Sequence, residues 1–173
     1  MAVQTPLRCG IASQNNLQLE VRLGHRRCDA HSSDTGCFVT APDLLGHGLA
    51  RRSDDYSIAA LANELRPLLA ADHYHIVVGA SLGGVVAAAL LPCFTHPVHV
   101  VLVDPPLEQS PEVHDLRKTL ILQMVRNPLT PEGFHKLLPT QTFEDAIFRS
   151  VSTRLCDAAT VEALFDVGLV PRG

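Results

Sequence analysis

Residues 76–91 read Ile-Val-Val-Gly-Ala-Ser-Leu-Gly-Gly-Val-Val-Ala-Ala-Ala-Leu-Leu. No other stretch constrains the fold so much. Tyr74 to Val78 is apolar at consecutive positions, which suits a strand of a parallel sheet covered on both faces. Val85 to Leu91 is a helix of small and apolar residues. Between them stand Gly79, Ala80, Ser81, Leu82, Gly83 and Gly84. A turn this abrupt from strand to helix holds its central residue in a strained backbone conformation and tolerates only small neighbours. It also lifts the Ser81 hydroxyl above the sheet. The amides at the start of the helix point at the same place, and they favour a developing oxyanion.

The alternative for this turn is a glycine-rich junction that binds phosphate or merely packs tightly. The strand before it and the helix after it favour Ser81 as a nucleophile and the Leu82 amide as the first oxyanion donor.

The rest of the chain extends the pattern. Cys37 to Ala41 is a short apolar strand stopped by Pro42. Asp43-Leu44-Leu45-Gly46-His47-Gly48 is a glycine-punctuated loop. Ser57 is a good N-cap, and Ile58, Leu61, Leu65, Leu68 and Leu69 repeat at helical spacing. Pro67 falls inside that helix over 57–71 and is expected to kink or shorten it. Val98 to Val103 is another buried strand. Alternating strands and helices predict a parallel sheet with right-handed crossovers.

Flanking this region, residues 1–36 are irregular. Only Leu17 to Leu23 alternates like a half-buried strand, and Gly24 to Gly36 reads as loop. Beyond 107 the chain is helical: Thr130 before Pro131 is a cap signal, Thr142 with Asp145 resembles a capping box, and Val161 to Val167 is a helix ended by Gly168. No strand is expected after Val103.

Ala41-Pro42-Asp43-Leu44-Leu45-Gly46-His47-Gly48, Gly79-Ala80-Ser81-Leu82-Gly83-Gly84 and Leu102-Val103-Asp104-Pro105 together resemble the α/β-hydrolase fold family, in its lidded branch with a serine nucleophile. The resemblance implies an α/β fold, a three-layer sandwich around a mainly parallel sheet. That sheet is incomplete here, with a helical lid segment at the C-terminal end. It implies three parts: an atypical N-terminal segment over 1–36, the core with its nucleophile elbow over 37–107, and the lid over 108–173. The strand ending at Val78 should then lie between the other two. Some members place the triad acid at the position of Asp104, which makes it a candidate acid; equally, it is a strand-end aspartate holding the Pro105-Pro106 turn.

Two departures from the family pattern stand out. Leu23-Gly24-His25 replaces the His-Gly loop that completes the oxyanion hole, so a second donor near Gly24 has little support. The family's catalytic histidine follows the last strand, beyond the lid, and this chain reaches Gly173 before any such strand. His114 and His135 read as surface or partly buried histidines. His47 reads as a structural part of its loop.

The implied function is hydrolysis of a small ester or related acyl compound, with turnover impaired for want of that histidine. The alternative is a catalytically inactive fragment that binds a ligand or a partner. The lid residues Leu120, Leu122, Met124, Leu137 and Leu138 hint at a substrate with apolar parts. They would equally serve to pack the lid. No cofactor is expected. The pairs His73/His75 and His96/His99 lack a third ligand for zinc.

Composition narrows the partners. The net charge is -4 and Arg26-Arg27 and Arg51-Arg52 are isolated pairs, which argues against nucleic acid. With 46% apolar residues and no run long enough to span a bilayer, a soluble cytoplasmic protein is expected. Cys9, Cys28, Cys37, Cys93 and Cys156 are scattered and odd in number, so reduced thiols are expected. The oligomeric state is left open.

Overall fold

The computed structural model describes residues 7–12, 37–71, 74–107 and 109–167. Four strands form one parallel sheet: β1 (Leu7–Ala12), β2 (Cys37–Thr40), β3 (Ile76–Ala80) and β4 (His99–Val103), in the order β2-β1-β3-β4. Helix α1 (Ile58–Ala71) lies between β2 and β3 in sequence, and α2 (Leu82–Leu90) between β3 and β4. A short 3-10 turn, Leu91–Cys93, follows α2.

The parallel sheet and its alternating helices agree with the sequence pattern, and β3 does lie between β2 and β4 as expected. It is not next to β2, however: β1 pairs with both β2 and β3 and separates them, which leaves β2 at the edge of the described sheet. The sequence signal in β1 is weak because Arg8, Cys9 and Gly10 interrupt any apolar run. Its place comes from backbone pairing on both sides, from Leu7 opposite Cys37 to Ala12 opposite Gly79. The alternating stretch Leu17 to Leu23 lies outside the described residues.

Apolar pattern explains the central elements. Val77 of β3, Tyr74 before it and Ala87 of α2 form one buried cluster, joined by Leu69, Phe94, Val98 and Val100. Helix α2 is buried at seven of its positions, Leu82 to Ala87 and Leu90, because its small residues let it lie close to the sheet. Pro67 does not end α1, which runs on to Ala71. Leu61 and Leu65 anchor the helix in the core, and Pro67 sits on its exposed side. The lost backbone donor is thus accommodated where water can reach the freed carbonyl.

The chain divides into two compact units. The first holds the sheet with α1 and α2. The second combines the loop Asp43–Ser57 with the chain from Leu107 onward. Its helices are α3 (Pro111–Arg126), α4 (Pro131–Leu137), α5 (Phe143–Arg154) and α6 (Ala158–Val167).

Their starts are written in the sequence. The Ser110 hydroxyl accepts from the Val113 amide at 3.4 Å and Pro111 takes the first turn. Thr130 accepts from Gly133 at 3.2 Å, again with proline next. The capping box at Thr142 is complete: its hydroxyl accepts from the Asp145 amide at 3.2 Å, and its own amide donates to the Asp145 carboxylate at 3.0 Å. Helices α3 and α6 pack through Val125, Cys156, Val161 and Phe165. Lys118 with Asp166 and Arg126 with Glu162 form ion pairs along the same seam.

Among the described residues no strand follows β4, and no helix is long and apolar enough to cross a membrane.

Candidate active site

Ser81 stands between the last residue of β3 and the first of α2, at φ 50° and ψ -120°. Non-glycine residues rarely occupy this region, and holding one there costs about 1–3 kcal/mol. The surrounding contacts explain how it is held. The Ser81 amide donates to the Val103 carbonyl at the end of β4, at 2.9 Å. The Ser81 carbonyl accepts from Gly84 at 2.9 Å and Val85 at 3.3 Å, opening the helix.

The side chain makes no capping bond to that helix, so its hydroxyl is not tied to the helix end. The amides of Leu82 and Gly83, as first-turn donors, have no carbonyl within the helix to bond. They form the positive end of the α2 dipole beside Ser81.

Two glycines make the turn sterically feasible. A Cβ on Gly79 would fall well inside van der Waals contact of the Gly83 carbonyl. One on Gly84 would lie 2.9 Å from Pro105 Cβ. Strand, turn and helix can approach this closely only with hydrogen at both positions.

The register places Ala80 opposite Val103, so Ser81 and Asp104 leave adjacent strands at the same level. Asp104 is also left-handed, at φ 45°, and is exposed. The sheet's carboxyl edge therefore carries two non-glycine residues with positive φ on adjacent strands, the only ones among the described residues. The carboxyl end of β1 adjoins the turn too, since Ala12 pairs with Gly79. Gly24 lies outside the described residues.

The described histidines of the sheet unit stand at the opposite end. His99 begins β4, and its amide donates to the carbonyl of His75, just ahead of β3, at 2.9 Å. The His96 ring bonds the Tyr74 carbonyl at 3.2 Å. Five strand residues at about 3.3 Å each separate these groups from Ser81.

In the helical unit, His114 packs edge-on against Phe165, with centroids 5.0 Å apart, and its Nδ1 lies 3.3 Å from the Asp115 carboxylate. The His135 ring meets Phe143 edge-on at 5.8 Å.

The loop at Asp43 is built as tightly as the Ser81 turn. Gly46 and Gly48 have φ of 75° and 52°. A Cβ on Gly46 would strike Thr160, and one on Gly48 would strike the Asp43 carboxylate. That carboxylate accepts from the Leu49 amide at 2.9 Å. His47 is buried, and its Nδ1 lies 2.9 Å from the Leu45 carbonyl. Burial holds its pKa below the ordinary value, against the raising effect of that carbonyl. His47 thus serves as a neutral structural imidazole.

Sequence reasoning missed the residue that ties this loop to α6. Arg52, read as half of an isolated basic pair, donates to the Gly46 carbonyl and, at 3.5 Å, to that of Leu155. Its Nε lies 3.7 Å from the carboxylate of Asp157, whose amide also donates to the Gly46 carbonyl, at 2.9 Å. No local pattern signals a pairing over such a sequence separation.

Among the described residues no group of three or more His, Cys, Asp or Glu side chains could hold a metal ion. Burial pushes the Cys156 thiol up to about 11, so it is protonated and inert at neutral pH.

The family model described as "Alpha/beta hydrolase family" matches residues 18–172. No curated protein matches the chain in sequence. Among solved structures it is similar to a serine-to-alanine variant of N-formylmaleamic acid deformylase from Pseudomonas putida. Identity there is 20% and the TM-score 0.66, over 94% of this chain and 65% of that one. It is also similar to MenH from S. aureus, at 15% identity and TM-score 0.62, over 94% of this chain and 66% of that one. A third match is 2-hydroxy-6-oxo-6-phenylhexa-2,4-dienoate hydrolase from a Rhodococcus strain, at 19% identity and TM-score 0.55. It covers 94% of this chain and 63% of that one.

This chain thus spans just under two thirds of the length of these structures. At such low identity they show the shared fold alone. With the family model matching most of its length, the chain belongs to the alpha/beta hydrolase family, and its sheet and helices form an incomplete version of that fold.

Proposed function

We propose that Ser81 is the nucleophile of a serine hydrolase acting on a small ester or related acyl compound with apolar parts. The observation that carries this reading is the strained, left-handed Ser81 at the β3–α2 junction. A serine meant only to cap α2 would be expected to bond its first turn, and this one does not. In the proposed reaction the Ser81 oxygen attacks the acyl carbon and its proton passes to a base. The Leu82 amide then donates to the oxyanion that forms. Asp104, one ladder step away on the next strand, is the candidate acid that would orient such a base. Residues 108–173 serve as the lid of this enzyme, and the cytoplasm is its proposed compartment.

Turnover by this 173-residue chain is proposed to be slow. Support comes from the described histidines, which are engaged elsewhere or stand at the far end of the sheet. A serine hydroxyl without a base stays protonated at neutral pH, and only the oxyanion donor and binding then accelerate the reaction. The same observation favours the second reading, a fragment that binds a ligand or partner without turnover.

An activated-ester assay on the purified chain, run beside Ser81→Ala, separates the two. Slow cleavage that disappears in Ser81→Ala supports the nucleophile. Fast Ser81-dependent cleavage would mean a base is in reach, and His114→Ala and His135→Ala would locate it. Equal background rates in both proteins would leave the binding reading.

A further inference from the structure

Where β3 and β4 end, Ala80-Ser81-Leu82 and Val103-Asp104-Pro105-Pro106 stand side by side, and Asp104 is the one charged side chain in these two segments. It is exposed, and among the described residues nothing bonds its carboxylate. An aspartate that holds a turn accepts from a backbone amide one or two residues further on. Pro105 and Pro106 have no N–H to offer, so Asp104 cannot hold its own turn in that way. An aspartate that orients a base is bonded to it, and no described histidine bonds Asp104. Yet its backbone is held at a φ of 45°. Residues kept in such a conformation cluster where proteins bind or react.

Adjacent strands lie about 5 Å apart. Ser81 and Asp104 each follow one member of the paired residues Ala80 and Val103. A substrate whose acyl carbon meets Ser81 therefore has Asp104 within a few atoms' reach. We propose that Asp104 binds a cationic group of the substrate, an ammonium a short chain away from the acyl carbon. This rests on the reading of Ser81 as nucleophile and narrows its substrate to cationic esters. Two opposite charges then orient the molecule. The positive end of α2 at Leu82 faces the acyl oxygen, and Asp104 faces the ammonium. The net charge of -4 favours the approach of a cation.

Other substrates fit less well. A wholly apolar ester would strip water from the carboxylate and put nothing in its place. An anionic one would meet a like charge that no described residue neutralises.

Three p-nitrophenyl esters of one shape test the proposal. The first is the ester of γ-trimethylammoniobutyrate. In the second a tert-butyl group replaces the trimethylammonium, and in the third a carboxylate does. Rates are the Ser81-dependent part, obtained by subtracting those of Ser81→Ala. The cationic ester is expected to exceed its tert-butyl counterpart about three- to tenfold in kcat/KM, with the anionic ester slowest. Raising the salt from about 10 mM to about 500 mM should shrink that advantage. Asp104→Asn keeps a residue that tolerates positive φ and should lower the cationic-to-neutral ratio by about the same factor. An aspartate acting only through a base would slow all three esters alike and leave the ratio unchanged, which overturns the proposal. A wild-type ratio indifferent to salt does so too, without recourse to the variant, as does an anionic ester cleaved faster than the cationic one. If no ester shows Ser81-dependent cleavage, the nucleophile reading fails and this proposal with it.

Discussion

The backbone amide of Ser81 donates across 2.9 Å to the carbonyl of Val103, so the turn after β3 is pinned to the end of β4. This bond continues the β3–β4 ladder one step past Ala80, into a residue whose φ has already become positive. Beyond it, Asp104 turns in the same left-handed sense. The strain of the site is therefore shared between two strands.

Removing the side chain should release that strain. Ser81→Gly is expected to raise the free energy of unfolding by about 1 kcal/mol, because glycine adopts this conformation freely. Ser81→Ala keeps a Cβ and should stay within about 0.5 kcal/mol of wild type. Urea unfolding of the three proteins measures the difference. A Ser81→Gly chain no more stable than Ser81→Ala would mean that the turn carries no strain.

Gly79→Ala should be far more damaging than its size suggests. The added methyl would meet the Gly83 carbonyl, which is fixed backbone and cannot swing aside. A loss of about 3 kcal/mol is expected, at the upper end for overpacking. Gly84→Ala, facing Pro105 Cβ at 2.9 Å, should cost less, because a ring can shift where a helix cannot. Equal thermal midpoints for the two variants would contradict this ranking.

In the helical unit, Arg52→Gln and Asp157→Ala should each lower stability by about 1 kcal/mol. Arg52 loses its bonds to the Gly46 and Leu155 carbonyls. Asp157 loses its contact with Arg52 and the carboxylate that accepts from the Ala159 amide at 3.1 Å. Because they share one contact, the double variant should lose less than the sum of the two. Arg52→Lys should not rescue, since an ammonium group cannot fork toward two carbonyls and a carboxylate. Strict additivity in a double-mutant cycle would refute the clamp.

Stability should fall as pH drops below the ordinary histidine value of 6.5, because of His47. Burial lowers its folded pKa, so in that window the unfolded chain binds a proton that the folded chain refuses. The contribution is complete above 6.5 and declines by at most about 1.4 kcal/mol per pH unit below it. Replacing the imidazole with the neutral amide in His47→Gln should flatten this slope. An identical pH dependence of the melting temperature in both proteins would assign the loss to other groups.

Legibility in the sequence followed the source of each element's stability. Strand β3, helix α2 and strand β4 draw theirs from apolar and small side chains, so an unbroken run of such residues revealed them. Their limits moved, with β3 beginning at Ile76 and β4 at His99, and β4, expected to be buried, leaves His99, Val101 and Leu102 exposed. The caps at Thr130 and Thr142 were readable because each is a local contact over three residues. Strand β1 was not readable, for its place depends on backbone pairing with two distant segments. At the site, the glycines announced a tight turn at Ser81. That its amide would reach Val103 depended on the register of β4, which no local pattern encodes.

The alliance of Asp43–Ser57 with α6 has a consequence for biosynthesis. Arg52 and Leu155, which it bonds, are 103 residues apart in the chain. At about 5–20 residues per second, a ribosome needs about 5–20 s to make the stretch between them. For that interval Arg52 has neither Leu155 nor Asp157 to bond, so the loop lacks the clamp that holds it in the finished chain. Slowing translation between codons 52 and 157 should lengthen the time the loop spends without that clamp.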